Sequence, residues 1–136
     1  MGPAAGGQTR AQLPVSATVL AVARLEQTSA PYELQLSDAE LRQGYVDAPL
    51  PTSLVVNSNS AAGFQLDVIA LSPMIGNIVV EGLDSPQVLG AEGGTLVQRW
   101  NGPQSRRLAL RFRIILAPGT APGRYAWPLR LSVRPL

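Results

Sequence analysis

From residue 106 to residue 136 the chain twice alternates apolar and polar side chains with a period of two. Leu108, Leu110, Phe112, Ile114 and Leu116 are interleaved with Arg107, Ala109, Arg111 and Arg113. After Ala117-Pro118-Gly119-Thr120-Ala121-Pro122-Gly123 the pattern returns: Tyr125, Trp127, Leu129, Leu131 and Val133 alternate with Arg124, Ala126, Pro128, Arg130, Ser132 and Arg134. Successive side chains of a strand project to opposite faces. The stretch therefore predicts two strands joined by a turn, with one apolar face and one Arg-studded, solvated face. Such a hairpin is marginal in water on its own, so its apolar face requires a second layer. Leu110, Phe112, Tyr125, Trp127 and Leu129 are expected in that core, together with Phe64 and Leu66. Arg111, Arg113, Arg130 and Arg134 are expected outside it.

The rest of the chain reads as the material for that layer. Within residues 13–25, Val15, Ala17 and Val19 alternate with Ser16 and Thr18, and the phase slips at Leu20. A slip means a bulge at which one strand bends and switches sheets, or two segments serving different sheets. A single straight strand over the whole stretch would span roughly 45 Å, against about 17–20 Å for most strands. Residues 27–31 read as a turn, and Tyr32, Leu34 and Leu36 as the apolar face of a short strand. Ser37 and Glu40 stand at capping-box positions and Gly44 follows within two turns, which reads as a turn or a single helical turn. Tyr45-Val46-Asp47 is a brief strand. Residues 52–71 read as a hairpin: Leu54 and Val56, then Asn57-Ser58-Asn59-Ser60-Ala61-Ala62-Gly63, then Phe64, Leu66 and Val68. Further strands are expected at 77–81, 88–89 and 95–100. Eight or nine short strands between Gly, Pro, Asn and Ser turns, with no sustained helical period, predict an all-β antiparallel sandwich. With 136 residues, a flexible tail over 1–12 and a separable segment over 13–19, the sandwich is a single domain over 20–136.

Composition narrows the chemistry. The chain has neither Cys nor His, so disulfides, thiolate ligands, cysteine nucleophiles and the commonest general base are all absent. The serines have no His partner for a triad. Asp38, Glu40 and Asp47 form the nearest acidic cluster and read as surface carboxylates rather than a catalytic pair. Gly90-Ala91-Glu92-Gly93-Gly94 lacks the Lys and the helix of a phosphate loop. No cofactor, no metal and no enzymatic role are expected. All 11 basic residues are Arg and they are interleaved with Asp and Glu, which reads as a solvated sheet face rather than a nucleic-acid surface. No run is long and apolar enough for membrane insertion. Residues 1–7 lack the basic-then-apolar order of a signal peptide, so if the protein is exported its signal has been removed or lies outside this sequence.

Three local patterns carry a resemblance. They are Val15-Ser16-Ala17-Thr18-Val19-Leu20-Ala21-Val22-Ala23; the strand, Asn/Ser turn and Gly-aromatic strand of Leu54-Val55-Val56-Asn57-Ser58-Asn59-Ser60-Ala61-Ala62-Gly63-Phe64-Gln65-Leu66; and Ala117-Pro118-Gly119-Thr120-Ala121-Pro122-Gly123-Arg124-Tyr125. Together, from Leu13 onward, they resemble the spore coat protein U-like domain, which is similar to subunits of archaic chaperone–usher pili. The chain departs from that pattern near the end of the first strand, where a cysteine is usual and this chain has Ala21 or Ala23. The resemblance implies an incomplete immunoglobulin-like sandwich completed by the N-terminal strand of a neighbour. It also implies export to the cell surface or beyond, and a homo-polymer of the chain, with a periplasmic chaperone and an outer-membrane usher as further partners. The donor would be residues 13–19, with Leu13, Val15, Ala17 and Val19 as plugs. The acceptor edge would be the final strand, with Tyr125, Trp127, Leu129, Leu131 and Val133. The residues alone leave the sheet-switching bulge equally open. They also leave a second function class, a self-contained sandwich that binds carbohydrate or protein at the cell surface.

Overall fold

The computed structural model describes residues 20–136. Over them the chain is an all-β antiparallel sandwich with one short helix. The elements are β1 (Ala23–Ser29), β2 (Glu33–Leu36), α1 (Asp38–Gln43), β3 (Tyr45–Asp47), β4 (Thr52–Ser58), β5 (Gly63–Ala70), β6 (Ile75–Glu81), β7 (Gln87–Leu89), β8 (Gly93–Arg99), β9 (Gln104–Leu116), β10 (Gly123–Ala126) and β11 (Leu129–Pro135). One layer runs β1-β4-β9-β6-β7. β3 pairs with the far end of β9, on the edge that β4 uses nearer its start, since β6 holds the other edge. The second layer is β11-β5-β8, and the β10-β2 pair continues it because only Trp127 and Pro128 separate β10 from β11.

Two expected pairings are not made. The stretch 52–71 forms two strands, but β4 pairs with β1 and β9 while β5 pairs with β11 and β8. The link between them crosses from one layer to the other instead of closing a hairpin. Its buried polar groups are paired: the Ser58 hydroxyl donates to the Gly63 carbonyl (3.1 Å), and the Trp100 indole N–H donates to the Ser60 carbonyl (3.1 Å). Gly63 has φ +119° and sits where a Cβ would lie 2.0 Å from the Gln98 carbonyl oxygen, so the crossing requires glycine. The two alternating strands of 106–136 likewise belong to different layers. β9 and the β10–β11 line face each other across the core, where Phe112 meets Trp127 edge-on at 6.1 Å between ring centres. Alternation fixes which face a strand buries; it carries no information on which strand lies beside it.

Local elements also differ from expectation. The 37–44 stretch is a true α-helix of six residues, longer than the turn or single helical turn expected. Glu40 accepts from the Ser37 backbone N–H (2.7 Å) and from the Ser37 hydroxyl, and these hydrogen bonds hold its carboxyl below the usual range. Gly44, at φ +88°, donates its N–H back to the Glu40 carbonyl (2.9 Å) and ends the helix. Gln27, Thr28 and Ser29, expected in a turn, extend β1 through a bulge between Gln27 and Ser29. The break comes later, at Ala30-Pro31-Tyr32, where Pro31 offers no N–H and the chain leaves the first layer for the second. Tyr32 precedes β2 rather than sharing its inner face, and its side chain is exposed. Eleven strands are present among the described residues, against the eight or nine expected.

The core contains Phe64, Leu66 and Val68 of β5, Leu54 and Val56 of β4, Leu110, Phe112 and Ile114 of β9, and Ile78 and Val80 of β6. Trp100 is buried against Phe64, with ring centres 5.1 Å apart. Arg111, Arg113, Arg130 and Arg134 are exposed, as their alternation predicts. Tyr125 and Trp127, expected in the core, are only half-buried.

Candidate subunit interface

The strand line β10–β11 has different neighbours along its two halves. Antiparallel strands expose the N–H and C=O of alternate residues to alternate sides. Trp127 donates its N–H to the Tyr32 carbonyl (2.9 Å), toward β2, whereas the Pro128 carbonyl accepts from Leu71 (2.8 Å), toward β5. Odd-numbered residues therefore face the β2 side and even-numbered ones face β5. The Leu136 N–H, which donates to the Gly63 carbonyl (3.1 Å), keeps the same phase. Along Gly123–Ala126 the β2 side is occupied by β2 itself. Along Leu129–Pro135 no strand among the described residues fills it. The N–H groups of Leu129, Leu131 and Val133 point into that space, and Pro135 adds a carbonyl but no donor.

The opposite wall of the space is β1, the edge of the other layer. Val22 takes its hydrogen bonds from Asn59 on the β4 side, so Ala23, Leu25 and Gln27 turn their N–H groups away from β4. β1 lies beside β11, with Cα atoms within 8 Å of each other, yet no ladder joins the two strands. The result is a seam between two strand edges. It is flanked by Ala23 and Leu25 on one side and by Leu131 and Val133 on the other, all half-buried and all packed against the core. Leu129, at the closed end near β2, is buried. A strand laid in the seam would satisfy the exposed backbone groups and cover these four side chains.

Of the residues singled out from sequence, Leu129, Leu131 and Val133 lie on the seam. Tyr125 and Trp127 do not: their edge is taken by β2, so the open edge is shorter than the row expected as an acceptor. Leu13, Val15, Ala17 and Val19 lie outside the described residues. The β1 wall was not identified from sequence. Its signal was the alternation Ala23, Leu25, Gln27, which the turn-like composition of Gln27-Thr28-Ser29-Ala30-Pro31 obscured.

On the outer faces, charged side chains tie neighbouring strands together. Arg134 of β11 grips Asp67 of β5 with two hydrogen bonds (2.7 and 3.0 Å), and Thr95 of β8 donates to the same carboxylate (2.9 Å). The Arg134 contact, with Thr95 behind it, holds the Asp67 carboxyl below its ordinary range. Arg113 of β9 makes a similar fork on Asp47 of β3 (2.7 and 3.2 Å) while stacking over Tyr45, with 4.1 Å to the ring centre. These networks fix β11 to β5 and β3 to β9 and leave the seam side of β11 untouched.

A shallow cleft of about 360 Å³ opens on the outer face of the β3-β9-β6 region, lined by Asp47, Leu50, Val79, Glu81, Arg111 and Arg113. Asp47 and Arg113 satisfy each other there, and the cleft holds no nucleophile paired with a base. Asp38 and Glu40 belong to α1 and Asp47 to the Arg113 pair, so the three carboxylates do not converge on one site. Among the described residues no group of three or more Asp or Glu side chains is arranged to hold a metal, and no helix is long and apolar enough to cross a membrane. A scan against models of known protein families found no match to this chain, and neither did searches of curated proteins and of solved structures.

Proposed function

We propose that this chain is a structural subunit of an extracellular pilus, filament or coat, joined to its neighbours by strand donation. Residues 13–19 of one copy enter the seam between β1 and β11 of the next. The observation that carries this reading is the edge of β11 opposite the edge of β1, both unfilled among the described residues, with half-buried Leu25, Leu131 and Val133 between them. Seven residues in strand conformation extend about 23 Å, comparable to the seven-residue β11. Val15, Ala17 and Val19 would face the core and Ser16 and Thr18 the solvent. An inserted strand needs its neighbours roughly 9.5 Å apart, so β1 has to swing outward on its Ala30-Pro31-Tyr32 connection. In this reading the sandwich is immunoglobulin-like and lacks its last strand. An open seam on a free subunit would also need cover before assembly, the task a periplasmic chaperone performs ahead of an outer-membrane usher.

The test is the mass of the full chain by light scattering, with negative-stain microscopy beside it. The full chain is expected to form head-to-tail polymers. Val15→Asp and Val19→Asp, which place a carboxylate in an apolar groove, are expected to leave monomers. A monodisperse wild-type monomer would support the other reading instead, a self-contained module that uses the Arg111–Glu81 cleft to bind carbohydrate or protein.

A further inference from the structure

The carboxamide of Asn59 makes an unusual pair of contacts at the start of the described chain. Its Oδ1 accepts from the Val22 N–H (2.6 Å), and its Nδ2 donates to the Leu20 carbonyl (3.0 Å). Its own backbone N–H donates to the Val22 carbonyl (3.1 Å). β4 has ended at Ser58, one residue earlier. The side chain thus stands in for the peptide group that a longer β4 would present, and it carries the β1 ladder past the end of the sheet. Leu20 and Val22 are tied to Asn59 although their side chains are exposed.

The position of this clamp matters because of what lies beside it. β1 begins at Ala23 and β11 ends at Pro135, so the seam opens at this same end of the sandwich. The C-terminal Leu136 is tied there as well, to Gly63 and to the Ser60 hydroxyl (2.7 Å). A segment leaving at Leu20 is therefore next to the mouth of its own seam. Strands reverse readily through loops of about two to five residues. Residues 13–19 could fold back against β1 of their own subunit if the chain turned at Leu20-Ala21-Val22. Those are the residues that the carboxamide ties to the end of β4.

We infer that Asn59 is a positioning residue that directs the N-terminal segment outward, so that residues 13–19 reach the seam of a second copy rather than their own. The inference rests on the strand-donation reading. Asn59 lies on the β4 side of the chain, opposite the seam, and its side chain bonds residues that precede β1, so it acts on the path of the covalent link.

The experiment uses the full chain in two backgrounds. In the first, Asn59→Ala is compared with the wild type by light scattering. Losing two side-chain hydrogen bonds is expected to raise the ratio of self-closed monomer to polymer roughly tenfold. In those monomers the amides of Leu129, Leu131 and Val133 should stay protected from hydrogen exchange, because the chain's own segment fills the seam. Asn59→Asp, which keeps the acceptor for Val22 but not the donor for Leu20, should lie between the two and serves if the Ala variant does not fold. In the second background the donor is silenced by Val15→Asp and Val19→Asp, and a synthetic peptide of residues 13–19 is titrated in. Adding Asn59→Ala should then leave peptide affinity unchanged within about twofold. Undiminished polymer in both Asn59 variants overturns the inference, as do monomers whose seam amides exchange freely. So does a loss of peptide affinity as large as the loss of assembly, which would make Asn59 part of the groove. Failure of the peptide to bind the donor-silenced chain is a different result: it sinks strand donation itself, and the inference with it.

Discussion

β9 and β11 carry the same alternating pattern and differ in how deeply it is buried. On β9, Leu110, Phe112 and Ile114 are at most 3% exposed. On β11, Leu129 is buried but Leu131 and Val133 are only half-buried. The side chains are of similar type and point into the same core. The strands differ in their edges. β9 has β4 and β3 along one edge and β6 along the other, whereas among the described residues β11 has only β5. Alternation of side chains thus specifies a face, and closure of the edge decides how much of that face leaves water. The same contrast recurs within one strand line. Tyr125 and Trp127 have β2 beside them, while a few residues farther along no strand among the described residues covers the edge.

The contrast between the two strands breaks most easily at β9, where the greatest effect is expected. Phe112→Ala should cost about 3–5 kcal/mol in chemical denaturation of the unassembled protein, as truncation of a buried aromatic does. A loss below about 1 kcal/mol would mean that β9 does not form the centre of the core.

Leu131→Ala should cost the unassembled protein only about 1 kcal/mol, because full burial of such a side chain contributes about 1.5–3 kcal/mol and half of that is not realised here. Adding the peptide of residues 13–19 should enlarge the penalty. A loss as large as that of Phe112→Ala without peptide would show that the edge of β11 is already closed.

Amide exchange resolves the edges residue by residue. Leu129, Leu131 and Val133 should exchange faster than Leu110, Phe112 and Ile114, and assembly or peptide should slow the first set alone. Equal protection in the unassembled chain would contradict the seam.

The smallest effect is the pH dependence of the Asp67–Arg134 fork that holds β11 to β5. Since the Asp67 carboxyl is held below its ordinary value, its contribution is complete above that value. It is lost as pH falls through the lowered folded value. Stability curves of wild type and Asp67→Asn should therefore differ near neutral pH and converge in acid. A gap that persists at the acid end would assign the effect to packing rather than to charge.

Much of the architecture was legible locally. The class, most strand positions, the exposed Arg faces and the helix signals at Ser37, Glu40 and Gly44 follow from patterns spanning a few residues. Where the reading failed, the deciding contact was distant in sequence. Leu54 and Phe64 looked like two arms of a hairpin, yet their strands pair with β9 and β8. Gln27 looked like part of a turn because Ser29, Ala30 and Pro31 follow it, while β4 pulls it into a strand. Asn59 read only as a turn residue, since its partners Leu20 and Val22 are nearly forty positions away.

What the sequence determined by itself is the face each strand turns to the core, because a period of two is set by backbone geometry within the strand. The tertiary structure alone decided which strands are neighbours, where a layer ends and which backbone groups are left without a partner. Those outcomes depend on how links such as Asn59–Ala62 and Ala117–Pro122 cross between layers. A crossing link and a hairpin turn use the same Gly, Pro, Asn and Ser residues, so their composition does not distinguish them.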